Sequence, residues 1–126
     1  ETWVIEPNRA IVERLRARMP EATIIGFPKG AGAKLVAYAQ GTGVDALGLD
    51  ETLDPAWADA VLPPGLPVQG NLDPLALVTG GDVLDQAIDR VIGAFPERPH
   101  VFNLGHGIVQ DTPIAHVEAL VARVRR

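Results

Sequence analysis

Apolar and polar residues follow one another along the chain in segments of two different periods. Between residues 8 and 19, apolar side chains recur at helical spacing, and charged residues, mostly arginines, occupy the other faces. Residues 22–27 then form a short β-branched apolar run that ends in a loop rich in proline and glycine, which is typical of a buried strand. The chain therefore begins with a predicted helix and a predicted strand.

The same strand-then-helix unit recurs along the rest of the chain. The predicted strands cover residues 22–27, 44–50, 66–72 and 100–104. The helices predicted to follow them cover residues 34–39, 55–61, 82–95 and 113–125. Asp54 and Thr112 are the predicted N-caps of two of these helices. Helices that connect successive strands act as crossovers, so we expect a parallel sheet with both faces covered. The prediction is an α/β fold of four consecutive βα units within a single domain, residues 1–126.

Composition narrows the class of protein. The 126 residues are 47% apolar, enough for one modest domain or for part of a larger one. Eleven basic against 16 acidic side chains give a net charge of −5, which argues against a nucleic-acid partner. With no cysteine, the chain has no disulfide and no cysteine-based zinc, haem-thiolate or iron–sulfur site. No apolar run approaches the ~20 residues of a membrane span, and no signal peptide is visible. We expect a cytoplasmic protein without a membrane partner.

Polar residues gather at the ends of the predicted strands. In parallel α/β folds the carboxyl ends of the strands form the ligand face, because helix N-termini and short loops converge there. We therefore expect the polar residues at these ends to face one common cavity, as candidate ligand-binding side chains. They are Lys29, Asp50, Gln69, Asn71, Asp73, Asn103 and His106.

Most of these residues also fit a structural role. Asp50 and Asp73 fit equally well as caps of the helices that follow them. Gln69 and Asn103 fit as braces between neighbouring strands. Lys29 fits as a solvated loop cation. Both interpretations stay open at these positions.

His106 stands apart from the other two histidines. Gly105 and Gly107 remove side-chain bulk from around its imidazole, which lets a ligand or another backbone approach closely and permits a positive φ. His100 and His116 lack such neighbours, and we expect them to be structural or solvated. The histidine spacings match no HxxxH or HExxH pattern, so no metal site is predicted.

Four segments carry a resemblance to a known family, the uroporphyrinogen decarboxylases, in its C-terminal portion. They are residues 25–30 (IGFPKG), 43–50 (GVDALGLD), 68–74 (VQGNLDP) and 101–108 (VFNLGHGI). The last two, about thirty residues apart, are the most specific. The resemblance extends over essentially the whole chain.

The resemblance implies a fold and an activity. The family is a (β/α)8 TIM barrel, and the four strands here look like its strands five to eight. Its members are homodimeric, cofactor-free decarboxylases of haem biosynthesis that convert uroporphyrinogen III to coproporphyrinogen III and four CO2. His106 matches the family's active-site histidine. The candidate substrate-binding residues, chosen for their places at the strand ends, are Lys29, Asp50, Gln69, Asn71 and Asn103. The family's essential aspartate, its substrate-gripping arginines, and its active-site tyrosine and serine match no position in this chain. We therefore expect the isolated chain to carry part of the site and to be inactive.

A half barrel leaves two sheet edges and its interior uncovered. We expect these surfaces to be covered in one of three ways: by the missing N-terminal half of the barrel, by a second copy of the chain, or by flattening of the sheet into a doubly wound sandwich. The alternative functions are a non-catalytic tetrapyrrole-binding or self-associating module and a cobalamin-dependent methyltransferase relative. Those methyltransferases hold zinc through histidine and cysteine, so the lack of cysteine disfavours them.

Overall fold

The computed structural model describes all 126 residues, Glu1 to Arg126, and helices alternate with strands throughout. The strands are β1 (Ile25–Gly26), β2 (Ala46–Gly48), β3 (Val68–Leu72) and β4 (His100–Leu104). The helices are α1 (Ile5–Arg18), α2 (Leu35–Thr42), α3 (Pro55–Val61), α4 (Pro74–Thr79), α5 (Gly81–Gly93) and α6 (Ile114–Val124). None of these helices is both long and apolar enough to span a membrane.

The four strands form one parallel sheet in the order β1-β2-β3-β4. Ile25 of β1 is paired with Ala46 of β2, and β3 is paired with β4 along five residues, from Val68 opposite His100 onward. This confirms the predicted α/β fold of consecutive βα units. A doubly wound sandwich is excluded, because its strand order reverses at a switch point within the sheet.

The helices and the apolar core lie on one face of this sheet. Right-handed crossovers between strands in sequential order place every connecting helix on the same side. Leu35 and Leu47 belong to a cluster of 12 buried apolar residues, and Leu84 belongs to a second cluster of four. On the opposite face, Phe27 and Val101 are 48% and 55% exposed. The expectation that both faces are covered is therefore wrong for this chain, since all the crossovers run in one direction.

Two helices begin with the same arrangement of aspartate and proline. At the start of α3, the Asp54 carboxylate accepts a hydrogen bond from the backbone N–H of Trp57 at 2.9 Å, which confirms the predicted N-cap. At the start of α4, the Asp73 carboxylate accepts from the N–H of Leu75 at 2.8 Å. Asp73 is therefore a helix cap. The helix that it caps, α4, was not predicted.

Two other local predictions are wrong. Thr112 does not cap α6: Pro113 occupies the N-cap position, no side chain caps the helix, and the Thr112 hydroxyl is buried without a partner. The first strand is shorter than the apolar run of residues 22–27, because β1 lies at the sheet edge and pairs with β2 over only two residues.

We expect the isolated chain to associate with itself. β1 and β4 each have one unpaired edge, and the apolar side chain of Val101 is exposed on the open face. Unpaired strand edges and apolar surface favour association between copies. Sedimentation equilibrium at micromolar concentration should show a dimer or larger species, and Val101→Lys should shift it towards the monomer. Val83→Lys, at an equally exposed position on α5, is the matched control. A monodisperse monomer of the unmodified chain would contradict this expectation.

Candidate functional site

An open cleft of about 550 Å³ lies on the uncovered face, at the carboxyl ends of the strands. Gln69 reaches it from β3, Asn103 from β4 and His106 from the turn after β4. Its lining is completed by main chain and apolar side chains, and His106 is its only ionisable side chain. The remaining lining residues are Ile25, Phe27, Gly48, Leu49, Leu104, Gly105, Gly107 and Ile108. The strand ends thus bring three of the predicted site residues together.

The turn that carries His106 is held by its neighbour Gly105. The N–H of Gly105 donates to the carbonyl of Leu72 at 2.8 Å. A Cβ at position 105 would overlap the backbone of Glu51, so only glycine fits there. A Cβ at Gly107 would meet open space, and neither glycine has a positive φ. The predicted close approach of another backbone is confirmed at Gly105, and the predicted use of positive φ is wrong at both glycines.

Gln69 and Asn103 offer amide groups to the cleft. The side-chain oxygen of Asn103 accepts from the backbone N–H of Leu104 at 2.8 Å, and its NH2 group makes no hydrogen bond within the chain. Neither side chain bonds to a neighbouring strand, so the alternative role as a brace between strands is not realised. Both amides are available to a bound molecule.

Asp50 and Asn71 lie at the same edge of the sheet but outside the cleft lining, and only 2% and 4% of their surface is exposed. The Asp50 carboxylate accepts from the N–H of Gly30 at 2.7 Å, and from the N–H of Thr52 at 2.9 Å and its hydroxyl. The Asn71 amide donates to the carbonyls of Asp50 at 2.9 Å and Leu53 at 2.8 Å. The expectation that both face the common cavity is wrong, because these loop hydrogen bonds direct them into the protein. Asp50 closes a turn and does not cap α3.

Lys29 also lies outside the cleft, where its ammonium group contacts the Glu51 carboxylate at 2.7 Å. The hydrogen bond from Lys29 lowers the pKa of Glu51. Burial raises the pKa of Asp50, but hydrogen bonds from Thr52 and Gly30 outweigh it and hold that pKa below its ordinary value. Both carboxylates are therefore ionised at neutral pH. Substrate binding by Lys29, Asp50 or Asn71 stays a prediction.

The other two histidines are structural, as expected. The imidazole of His100 lies 2.5 Å from the carbonyl oxygen of Gly70, with its ring centroid 4.6 Å from that of Phe95. The imidazole of His116 lies 3.0 Å from the carbonyl oxygen of Leu77. No cluster of three or more histidine, cysteine, aspartate or glutamate side chains suitable for a metal ion occurs in residues 1–126.

The apolar lining of the cleft was missed in the sequence. Phe27 and Ile108 are 48% and 55% exposed there, and Leu49 contributes although it is almost fully buried. Phe27 ends an apolar run, and Ile108 follows the glycine-flanked histidine. Large apolar residues next to strand ends could therefore have predicted this lining. With these side chains, the cleft presents apolar groups beside hydrogen-bonding amides and one imidazole. Such a combination suits a molecule that has both apolar rings and polar substituents.

The chain matches the family model described as Uroporphyrinogen decarboxylase (URO-D) over residues 1–126. Uroporphyrinogen decarboxylases of Sphingopyxis alaskensis and Rhizorhabdus wittichii are each 71% identical over 125 residues, 99% of this chain and 36% of the relative. The uroporphyrinogen decarboxylase of Hyphomonas neptunium is 50% identical over 122 residues, 97% of this chain and 36% of the relative. The chain thus spans little more than a third of the length of the curated relatives it matches. Because the family model matches the chain over residues 1–126, the chain belongs to the uroporphyrinogen decarboxylase family.

Proposed function

We propose that this chain forms the C-terminal part of a uroporphyrinogen decarboxylase and carries part of its active site. The observation that supports this most directly is the cleft at the carboxyl ends of the strands, which holds His106, Gln69 and Asn103 beside an apolar surface. The family match and the 71% identity to uroporphyrinogen decarboxylases support the proposed activity, the conversion of uroporphyrinogen III to coproporphyrinogen III with release of four CO2. The N-terminal half of the barrel, the homodimer and the cytoplasmic location are parts of this proposal.

The chemistry of the cleft suits the substrate in part. Each acetate side chain loses CO2 by cleavage of its C–C bond, and the remaining carbon takes up one proton to become a methyl group. The amide N–H groups of Gln69 and Asn103 donate hydrogen bonds to substrate carboxylates, and the imidazole of His106 donates a hydrogen bond or holds a proton close to the reacting group. The apolar side chains of Phe27 and Ile108 pack against the pyrrole rings.

The cleft lacks the positive charge that a polyanionic substrate requires. Eight carboxylates need fixed cations, and none of the residues that line the cleft is a lysine or an arginine. These cations, and the aspartate expected to bind the pyrrole N–H groups, come from the rest of the polypeptide in this proposal. Catalysis therefore needs the barrel to be completed around the open face.

A chimeric enzyme tests the proposal. We expect the S. alaskensis uroporphyrinogen decarboxylase to keep its turnover within about tenfold, or about 1.4 kcal/mol of barrier, when this chain replaces its matched 125 residues. The reason is that this chain then supplies the residues of the cleft, and the relative supplies the rest of the barrel with its cations. Coproporphyrinogen formation is measured by chromatography after oxidation, with the unmodified relative as control. A chimera that has the same melting temperature as the relative but shows no turnover would refute the proposed decarboxylase activity. Tetrapyrrole binding without turnover would favour the non-catalytic module.

A further inference from the structure

Asp50 lies where three of the loops at the carboxyl edge meet. Its carboxylate accepts from Gly30 in the loop after β1, and from the N–H and hydroxyl of Thr52 in the loop after β2. Its backbone carbonyl accepts from the side chain of Asn71 at the end of β3, at 2.9 Å. The residue is 2% exposed. Asp50 therefore fixes the positions of three segments relative to one another.

The fourth loop, which carries His106, rests directly on this arrangement. Glu51 lies inside the turn that the Asp50 carboxylate closes by accepting from Thr52. The atoms nearest to a Cβ built at Gly105 are the backbone N and Cα of Glu51, so the two backbones are in direct contact. On the other side, Gly105 is bonded to the carbonyl of Leu72. A displacement of the Asp50–Thr52 turn must move Gly105, and His106 is the next residue.

The Asp50 carboxylate has no equivalent substitute at this position. An ionised carboxylate is an acceptor only, and here it meets three donors from Gly30 and Thr52. In Asp50→Asn one of the two oxygens becomes an NH2 donor that faces another donor. That repulsion opens at least one of the three hydrogen bonds, although the size of the side chain is unchanged.

We propose that Asp50 is a positioning residue, whose carboxylate holds the Asp50–Thr52 turn and thereby sets the place of His106 in the cleft. The inference rests on the proposed function, since it gives Asp50 an indirect role at the same site. In this proposal Asp50 acts through Glu51 and Gly105, as an alternative to the predicted direct contact with the substrate.

Histidine NMR of the chain itself tests this coupling. The chain has three histidines, so the ring Cε1–H signals of His100, His106 and His116 can be resolved by labelling. In Asp50→Asn we expect the His106 signal to move by more than its linewidth while the His116 signal stays in place. The matched control is Asp54→Asn, a change of the same chemistry at an exposed helix cap four residues away, which should leave His106 unmoved.

A gentler variant keeps the test decisive if Asp50→Asn does not fold. Thr52→Val removes one donor to the carboxylate and keeps the backbone N–H, so His106 should move in the same direction by a smaller amount. The proposal is overturned if the folded variants leave His106 in place. It is equally overturned if all three histidine signals move together, since that would indicate a general loss of structure.

The chimeric enzyme supplies the kinetic half of the test. We expect Asp50→Asn to lower kcat about tenfold or more, with a smaller change in KM, because a misplaced group costs turnover more than binding. If the parent chimera has no turnover, the proposed function fails while the NMR coupling can still hold. If the parent turns over and Asp50→Asn changes neither kcat nor the His106 signal, only the positioning role fails.

Discussion

Replacing His106 with alanine in the chimeric enzyme is expected to lower kcat/KM about 10- to 100-fold. His106 is the only ionisable side chain in the cleft, and loss of a hydrogen bond to a charged group costs about 1.5–3 kcal/mol. Turnover of uroporphyrinogen III is measured as a function of substrate concentration, so that kcat and KM are separated. A fall in kcat at constant KM would indicate that the imidazole acts in the transition state.

His116→Ala is the matched control for this prediction. His116 contacts the carbonyl of Leu77 and does not line the cleft, so its loss should leave kcat/KM nearly unchanged even if the melting temperature falls. His106→Gln separates two roles, because glutamine donates a hydrogen bond but does not hold a proton at neutral pH. Recovery of turnover in His106→Gln would assign a hydrogen-bonding role. If His106→Ala and His116→Ala lower kcat/KM equally, His106 has no specific role in the reaction.

Replacing Arg98 with alanine is expected to destabilise the chain by about 1.5–3 kcal/mol, because it leaves half-buried acceptors without their charged donor. The side chain of Arg98 is 6% exposed and contacts the Asp59 carboxylate at 2.7 Å. The same guanidinium donates to the carbonyls of Pro63 at 2.9 Å and Leu66 at 2.8 Å. It thus ties the loop before β3 to the segment before β4, at the amino edge of the sheet. Urea unfolding followed by circular dichroism measures the loss.

Arg16→Ala and Arg98→Lys are the controls for this loss of stability. Arg16 pairs with Asp45 at 2.6 Å, but both side chains are about 40% exposed, and exposed ion pairs contribute about 1 kcal/mol or less. Lysine at position 98 keeps the charge but loses the fork of donors, so it should restore only part of the stability. If Arg98→Ala unfolds at the same urea concentration as Arg16→Ala, the hydrogen bonds of Arg98 do not stabilise the fold.

The strand and helix order was predictable because the local signals agree with one another. β4 was predicted with the bounds found, and the Asp54 cap followed by proline marked the start of α3 correctly. The same pair, Asp73 and Pro74, marks the start of α4. Asp73 was interpreted as either a site residue or a helix cap, but no helix was predicted at residues 74–79. Six residues, PLALVT, are too few to show a helical period. Here the cap was a better signal than the apolar pattern.

The direction of each side chain at the strand ends was not predictable. Sequence position places Asp50, Asn71 and Gln69 at the same edge, yet only Gln69 lines the cleft. Whether a polar side chain faces the ligand or a loop depends on which backbone groups the neighbouring loops leave unpaired. Those groups, such as the N–H of Gly30, belong to segments twenty residues away, so local pattern does not reveal them.

Because the order of the strands in the sheet follows their order along the chain, the sheet can form one strand at a time. Each strand pairs with the one synthesised just before it, and paired residues are only about 20 to 30 positions apart, so contact order stays low for a parallel sheet. A chain that leaves the ribosome N-terminus first can add one βα unit at a time to an existing edge. Assembly then proceeds without waiting for a distant partner, and the growing edge is always the newest strand.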